Sequence, residues 1–240
     1  MTLVLTKVTR DGIAMAADAA LTETYLSYGR VLIGASKLLA HAPSSSCLGI
    51  WGDAVLPNPT PGAHPIALEF VLRQFLDIAR SIENAEDLSG KLVEWLNDNF
   101  PVARGVIGID VASVRAAGRQ ATTVIHRLMN AVAVDAEPAR FRRFTIRAAG
   151  AFDEVNDTPI LSAGDLNAEF WVDEIRAAIR NAAIRTGQSL PDNAEQTAAW
   201  LAVLVRTISD LYRNLQISQT IDGPVRTSVL HLDSGIVTVR

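Results

Sequence analysis

Short apolar segments separated by charged turns open the chain. Residues 4–8 and 13–17 are apolar enough to predict two strands, and the turn between them contains Arg10, Asp11 and Gly12. That turn chemistry favours a hairpin. Residues 47–54 read CLGIWGDA, an apolar run ended by glycine, which is typical of a strand buried on both faces. A sheet covered on both sides is therefore expected.

Helical spacing of apolar residues appears in four later segments. It predicts helices from Pro65 to about residue 78, near residues 88–96, over about 167–186, and after Pro191. The apolar positions of the first helix are Ala67, Phe70, Val71, Phe75 and Ile78, and those of the last are Trp200, Leu204, Ile208, Leu211 and Leu215. Asn193, with Gln196 three residues on, is typical of a helix N-terminus.

The remaining strands alternate with these helices in blocks. Residues 106–114, 121–129, 141–148, 225–232 and 235–239 are predicted strands. The order is strands, two helices, strands, two helices, strands, with hairpin-length connections within each strand block. This indicates an α+β fold with antiparallel sheets and helix layers outside them, built as a single domain over residues 1–240.

Composition narrows the function classes. The 240 residues are 49% hydrophobic and 20% charged, with a net charge of −4 and no basic tract interleaved with aromatics, so we expect no nucleic-acid partner. The single cysteine, Cys47, and four scattered histidines predict neither disulfides nor a metal site. No cofactor motif is present. The longest apolar run, residues 198–205, is far below the roughly 20 residues of a membrane span. The sequence therefore predicts a soluble, cytoplasmic protein.

The hairpin prediction brings two polar residues together. The turn is centred near residue 10 or 11, and residues equally far from a turn lie opposite each other in an antiparallel pair. Thr2 and Asp18 should therefore meet within about one residue, with directly opposite Cβ atoms about 5 Å apart. Taken singly, a threonine at a strand start and an aspartate at a strand end are usually structural. The pairing leaves two roles open for Thr2: an ordinary polar residue at a strand end, or a nucleophile whose base is its own amino group.

The order of these residues resembles the proteasome β-type family of N-terminal-nucleophile hydrolases. The matching segments are Thr2, RDGIAMAADAA, SKLL and LGIWGDA, within roughly the first 55 residues. A later segment, IDGPVRTSVL, is similar to the family's closing strand. Chain length and the proline stretch near residues 57–65 look most similar to the bacterial proteasome homologues. The resemblance implies a four-layer αββα sandwich.

The resemblance also implies a catalytic set. Thr2 would be the nucleophile once Met1 is removed, with its own α-amino group, ordinary pKa about 7.7–8.0, as the base. Lys37 would supply a buried cation that lowers the pKa of that amine, and Asp18 would hold the lysine by a charge-assisted hydrogen bond. The backbone N–H of Gly49 would form the oxyanion hole. The S1 pocket would be built near Ala20, Leu21 and Gly49.

Assembly and substrate follow from the same resemblance. It implies stacked homo-oligomeric rings with the active sites facing an inner chamber, and a threonine peptidase that hydrolyses peptides or unfolded protein. It implies no metal and no organic cofactor. An ATP-dependent unfoldase partner is not readable from the sequence.

Two departures from the family pattern keep other functions open. Ala151 and Ile221 stand where the family usually has serines, with Ser218 nearby in SQTIDG. A catalytically weak or inactive ring subunit with a structural or assembly role is therefore a second hypothesis. A third is a non-peptide amidohydrolase with a related N-terminal nucleophile, which would prefer small amides over peptides.

Overall fold

The architecture is described from a computed structural model of the chain. The described residues are 3–23, 30–33, 36–53, 55–60, 63–100, 106–117, 120–130, 140–149, 160–164, 166–215, 221 and 223–240. Among the residues singled out above, Met1, Thr2, Ala151 and Ser218 lie outside them.

Strands and helices alternate in blocks, as the sequence predicts. The strands are β1 Leu3–Thr9, β2 Gly12–Ala17, β3 Ala20–Glu23, β4 Arg30–Ile33, β5 Leu38–His41, β6 Ser46–Gly52, β7 Val55–Leu56, β8 Ile66–Ala67, β9 Ile107–Ala117, β10 Gln120–Asn130, β11 Phe141–Ala149, β12 Leu161–Gly164, β13 Arg226–His231 and β14 Val237–Val239. The helices are α1 Leu68–Ile78, α2 Ala85–Asn99, α3 Leu166–Thr186 and α4 Ala194–Asn214. The predicted mixture of helices and antiparallel strands is confirmed.

Two five-stranded sheets carry most of the strands. One has the order β12-β1-β2-β13-β14 and the other β11-β10-β9-β6-β5. Every pairing within them is antiparallel. In the first sheet the opening hairpin pairs Val4 with Ala17 and Thr9 with Gly12, so the turn lies where the charged residues predict it. Two short pairs, β3 with β4 and β7 with β8, stand apart from these sheets.

Each helix pair shares a hydrophobic cluster with one sheet. On the second sheet, buried residues of α1 and α2 such as Leu72 and Leu92 join Ile109 and Leu128. On the first sheet, Leu201 and Ile208 of α4 join Leu5 and other residues of β1 and β2. Burial of large aliphatic side chains of this kind stabilises the fold by about 1.5–3 kcal/mol each.

A third cluster contains side chains from both sheets. Val4 and Met15 of the first sheet and Leu38, Trp51 and Ile125 of the second are among its buried members. Strands that bury residues on both faces read as continuous apolar runs, which explains why β1, β2 and β6 lack a clean polar alternation. The start of β1, the end of β2 and the start of β5 all border this cluster.

Candidate active site

Asp18 lies opposite the first described residue of the chain. It follows β2 directly, and its backbone N–H donates to the Leu3 carbonyl oxygen over 3.4 Å. The Leu3 N–H in turn donates to Asp18 Oδ1 over 2.9 Å. The carboxylate is therefore fixed one peptide unit from Thr2, which itself lies outside the described residues. Hairpin geometry alone produces this arrangement.

Lys37 meets the same carboxylate from the other sheet. Its Nζ donates to Asp18 Oδ2 over 2.9 Å, and the Ala20 N–H donates to that oxygen over 3.1 Å. Lys37 immediately precedes β5, and its carbonyl oxygen accepts from the Ile50 N–H over 2.8 Å, which fixes the backbone at this position. The structure thus brings together two of the predicted site residues, Asp18 and Lys37.

The ion pair is fully enclosed. Both side chains have 0% exposure. Burial lowers the pKa of Lys37 from its ordinary 10.5, and the charge and hydrogen bond of Asp18 act in the opposite direction. Desolvation of this kind is costly, and a buried pair persists only where further hydrogen bonds satisfy the ions. Here the backbone amides of Leu3 and Ala20 supply those bonds to the carboxylate.

Gly49 lies inside β6, between two neighbouring strands. It is opposite Leu38 of β5 and Asp110 of β9. Successive amides of a strand point to opposite edges, and the Ile50 N–H points towards β5, so the Gly49 N–H faces β9. A Cβ here would lie 2.9 Å from both Met15 Cε and Val4 Cγ1. The close approach of the two sheets therefore explains why position 49 is a glycine. Its role as the oxyanion donor stays a prediction.

Two residues that the sequence analysis did not single out hold the segment before Lys37. The Ser36 N–H donates to Glu69 Oε2 over 2.8 Å, and the Ser36 hydroxyl donates to the Leu38 carbonyl oxygen over 2.9 Å. Glu69 belongs to the first turn of α1 and also accepts from Arg73. Acidic residues are common in the first turn of a helix, so the position of Glu69 in the sequence did not indicate that it binds the Ser36 amide.

Ile221, one of the two departures from the family pattern, is a core residue. It is buried in the cluster between α4 and the first sheet, and its carbonyl oxygen accepts from the Ser209 hydroxyl over 3.0 Å. Its side chain brings no hydroxyl to the site. Ala151 and Ser218 lie outside the described residues.

Two further features are absent from the described residues. Within them, no group of three or more histidine, cysteine, aspartate or glutamate side chains could hold a metal ion. In the same part of the chain, no helix has the length and apolarity needed to cross a bilayer.

Comparison with known proteins gives a likeness of fold. No protein-family model matches the sequence, and no curated protein matches it. Among solved structures, the chain is similar to the Anbu (Gly-1) mutant from Hyphomicrobium sp. strain MC1. That match has 12% sequence identity and a TM-score of 0.53, and covers 100% of this chain and 86% of the other. The likeness is one of overall fold.

The family assignment made from the opening residues is therefore wrong. That assignment was the proteasome β-type family, closest to the bacterial proteasome homologues, and no family model supports it. At 12% identity the Anbu structure shares a fold with this chain and nothing narrower. A few residues at fold-determined positions produced the resemblance, and such positions recur wherever the same hairpin and sheet recur.

Proposed function

We propose that the chain is a hydrolase whose nucleophile is Thr2, exposed at the N-terminus after Met1 is removed, and that it cleaves peptide bonds. The observation that carries the proposal is the enclosed Lys37–Asp18 pair, which is hydrogen-bonded to Leu3, the residue directly after Thr2. Burial lowers the pKa of Lys37, and lysines perturbed in this way are typical of functional sites.

The proposed reaction uses groups of this chain alone. The free α-amino group of Thr2 takes the proton of the Thr2 hydroxyl, and Oγ attacks the carbonyl carbon of the substrate. Collapse of the tetrahedral intermediate expels the amine, which takes the proton from the α-ammonium, and leaves an ester on Thr2. Water, activated by the α-amino group of Thr2, then hydrolyses that ester. The Lys37 ammonium lowers the pKa of the amine and favours the developing negative charge.

Architecture and assembly belong to the same proposal. We propose a four-layer αββα sandwich formed by residues 1–240 as one domain, which the three hydrophobic clusters support. We further propose that copies of the chain assemble into stacked rings in the cytoplasm and act on peptides or unfolded protein. The support for the ring is the proteasome-like fold of the Anbu neighbour. Gly49 is the proposed oxyanion donor, provided that its amide is released from β9.

The first experiment asks whether the amine is free and the hydroxyl reactive. Intact-mass analysis shows whether Met1 is removed. A threonine-directed β-lactone or boronate should then label the processed protein, and peptide mapping should place the adduct on Thr2. Thr2→Ala should abolish labelling and turnover. Thr186→Ala, on the exposed end of α3, should change neither. Processed protein that is inert to both probe types and to a broad peptide library would refute the peptidase.

A second function, an inactive subunit of the same assembly, is favoured by one observation. At the position where a supporting hydroxyl is expected, Ile221 is buried in the core instead. The two proposals differ in one comparison of turnover. If the subunit is active, processed wild type turns over peptides and Thr2→Ala does not. If the subunit is inactive, wild type and Thr2→Ala are equally without turnover, and native mass spectrometry still detects the oligomer.

A further inference from the structure

A polar cavity of about 350 Å³ lies on the side of the second sheet covered by α2. Its walls come from the turn between β5 and β6, the N-terminal end of α2, and strands β9 and β10. Ser44, Glu83, Glu86, Ser113 and His126 contribute polar groups to it. Neither Asp18 nor Lys37 lines it, so this cavity is separate from the proposed active site.

His126 places an unsatisfied nitrogen in this cavity. The residue is only 1% exposed, and within the described part of the chain its Nε2 has no hydrogen-bond partner. Glu86 Oε2 lies 3.3 Å from that nitrogen, but outside hydrogen-bonding geometry. The other ring nitrogen, Nδ1, is 3.3 Å from the Thr145 hydroxyl. A buried polar atom without a partner is costly, which indicates that a ligand or solvent completes the site.

The serine hydroxyls direct their protons away from the cavity. The Ser113 hydroxyl donates to the Ser44 carbonyl oxygen over 3.2 Å. The Ser44 hydroxyl is 2.9 Å from Ser46 Oγ and 2.7 Å from His41 Nδ1, so one of these two accepts its proton. Both serines are therefore left with lone pairs that can accept hydrogen bonds from a ligand.

The charges around the cavity favour a cation. Arg143 Nη2 lies 2.5 Å from Glu86 Oε1, which leaves Oε2 on the side of His126. Glu83 is exposed at the cavity mouth and adds a second carboxylate. Burial lowers the pKa of His126, while the charge of Glu86 raises it and the charge of Arg143 lowers it further. The imidazole is therefore neutral at any pH above its ordinary pKa of 6.5. Two carboxylates against one guanidinium leave an excess of negative charge.

An anion at the N-terminus of α2 fits these groups less well. Glu86 and Asp87 already place carboxylates in the first turn of that helix. The Asn84 side chain also accepts from the Asp87 N–H over 2.8 Å, which satisfies one of the free amides. The carboxylates in the first turn would therefore repel a bound anion, and few unused amide donors remain there to bind it.

We propose that this cavity binds the primary ammonium group of an aliphatic amine. One N–H would be shared between His126 Nε2 and Glu86 Oε2, and the others would reach the serine hydroxyls or Glu83. Val114 and Val124 line the same cavity and would contact the alkyl chain. An ammonium group supplies three donors and no acceptor, which matches walls that present mainly acceptors.

The test is calorimetric titration of the purified full-length protein with butylammonium chloride. Butanol, sodium butyrate and Nα-acetyl-lysine methylamide serve as the neutral, anionic and peptide-like comparison ligands. We expect saturable binding of butylammonium. The neutral and anionic ligands should bind at least about tenfold more weakly than butylammonium does. Tighter binding of the lysine derivative than of butylammonium would identify a protein lysine as the natural source of the group. The reverse order would identify a free amine.

Variants assign the binding to this cavity. Glu83→Gln, on the exposed rim, should weaken butylammonium binding about five- to tenfold without affecting folding. Glu174→Gln, an exposed carboxylate on α3, is the matched control and should leave it unchanged. The ¹⁵N resonance of His126 Nε2 should shift on titration in the wild type. Absence of saturable binding, equal binding of butanol, or an unaffected Glu83→Gln variant would overturn the proposal.

Discussion

Lys37 Nζ lies 2.9 Å from Asp18 Oδ2, and neither side chain is exposed to solvent. The other carboxylate oxygen of Asp18 accepts from the Leu3 N–H. One aspartate therefore connects the start of β1, the end of β2 and the segment before β5. A substitution at either member of the pair should change stability as well as any reaction at Thr2, so the two effects must be measured separately.

Removing one partner of this pair should be strongly destabilising. Lys37→Met leaves an uncompensated carboxylate in the core, and Asp18→Asn leaves an uncompensated ammonium. Each should lower the free energy of unfolding by about 3–5 kcal/mol. The double variant should lose clearly less than the sum of the two single losses, because it leaves no unpaired buried charge. Urea denaturation of the four proteins measures this coupling.

The exposed pair of Arg80 and Asp77 on α1 provides the matched control. Its atoms are 2.6 Å apart, but both side chains are largely exposed. The same cycle there should give a coupling below about 1 kcal/mol. A coupling at Lys37 and Asp18 no larger than this would contradict the enclosed ion pair.

The lowered pKa of Lys37 predicts a pH dependence of stability. Between that lowered pKa and the ordinary value of 10.5, the unfolded chain binds more protons at this residue than the folded chain does. The free energy of unfolding contributed by Lys37 should therefore rise with pH in this window, by at most about 1.4 kcal/mol per pH unit. Below the window both states hold the proton and the contribution is flat.

Comparison with the double variant Lys37→Met/Asp18→Asn separates this effect from groups that titrate elsewhere, because it leaves no unpaired buried charge. The difference in unfolding free energy, wild type minus variant, should increase as the pH is raised towards 10.5. Denaturant titrations at a series of pH values give this difference directly. A difference that falls with rising pH would mean that the pKa of Lys37 is raised in the folded protein.

Features set by neighbouring residues were predictable from the sequence. The opening hairpin follows from its turn residues, and the start of α4 follows from Asn193, whose side chain accepts from the Gln196 N–H over 2.9 Å. The face of α1 was less predictable. Phe70 and Ile78 fit the helical spacing, yet they are 64% and 72% exposed. The helix is apolar on more than one side, and only contact with the sheet decides which side is buried.

Features set by distant residues were not predictable from local pattern. β12 is four residues long and exists as a strand because it pairs with β1, so its own sequence gave no signal. Hairpin geometry placed Asp18 beside the chain start. The meeting of Lys37 with Asp18 spans the two sheets and was expected only through a family resemblance. The family assignment was wrong, whereas the roles of Thr2, Asp18, Lys37 and Gly49 stay predictions, because a shared fold does not determine what its residues do.

Two glycines should respond oppositely to alanine. A Cβ on Gly108 of β9 would lie 2.0 Å from Trp51 Cε2. Gly108→Ala should therefore force the indole or the strand to move, and should lower the free energy of unfolding by about 1–3 kcal/mol. Gly90 lies within α2, and the nearest atom to a Cβ there is Arg143 Nη1 at 3.7 Å. Gly90→Ala should stabilise the protein by about 0.5–1 kcal/mol.

Thermal denaturation of the two variants beside the wild type checks the prediction. A lower midpoint for Gly108→Ala and a higher one for Gly90→Ala are expected. An unchanged midpoint for Gly108→Ala would show that the approach of Trp51 to β9 is looser than the structure has it. A lower midpoint for Gly90→Ala would contradict the ordinary van der Waals distance from this Cβ to Arg143 Nη1.

Cys47 should be chemically silent in the folded protein. The thiol is fully buried in β6, and burial raises its pKa from 9.0 to about 12. The thiolate is the reactive species, so at about pH 8 almost none forms and reagent has no access. A disulfide reagent should therefore react only as fast as the chain unfolds, and at once in guanidinium chloride. Ala42→Cys in a Cys47→Ala background, on the exposed turn before β6, should react immediately under native conditions. Rapid native labelling of Cys47 would mean that β6 separates from its neighbours far more often than its burial between the sheets implies.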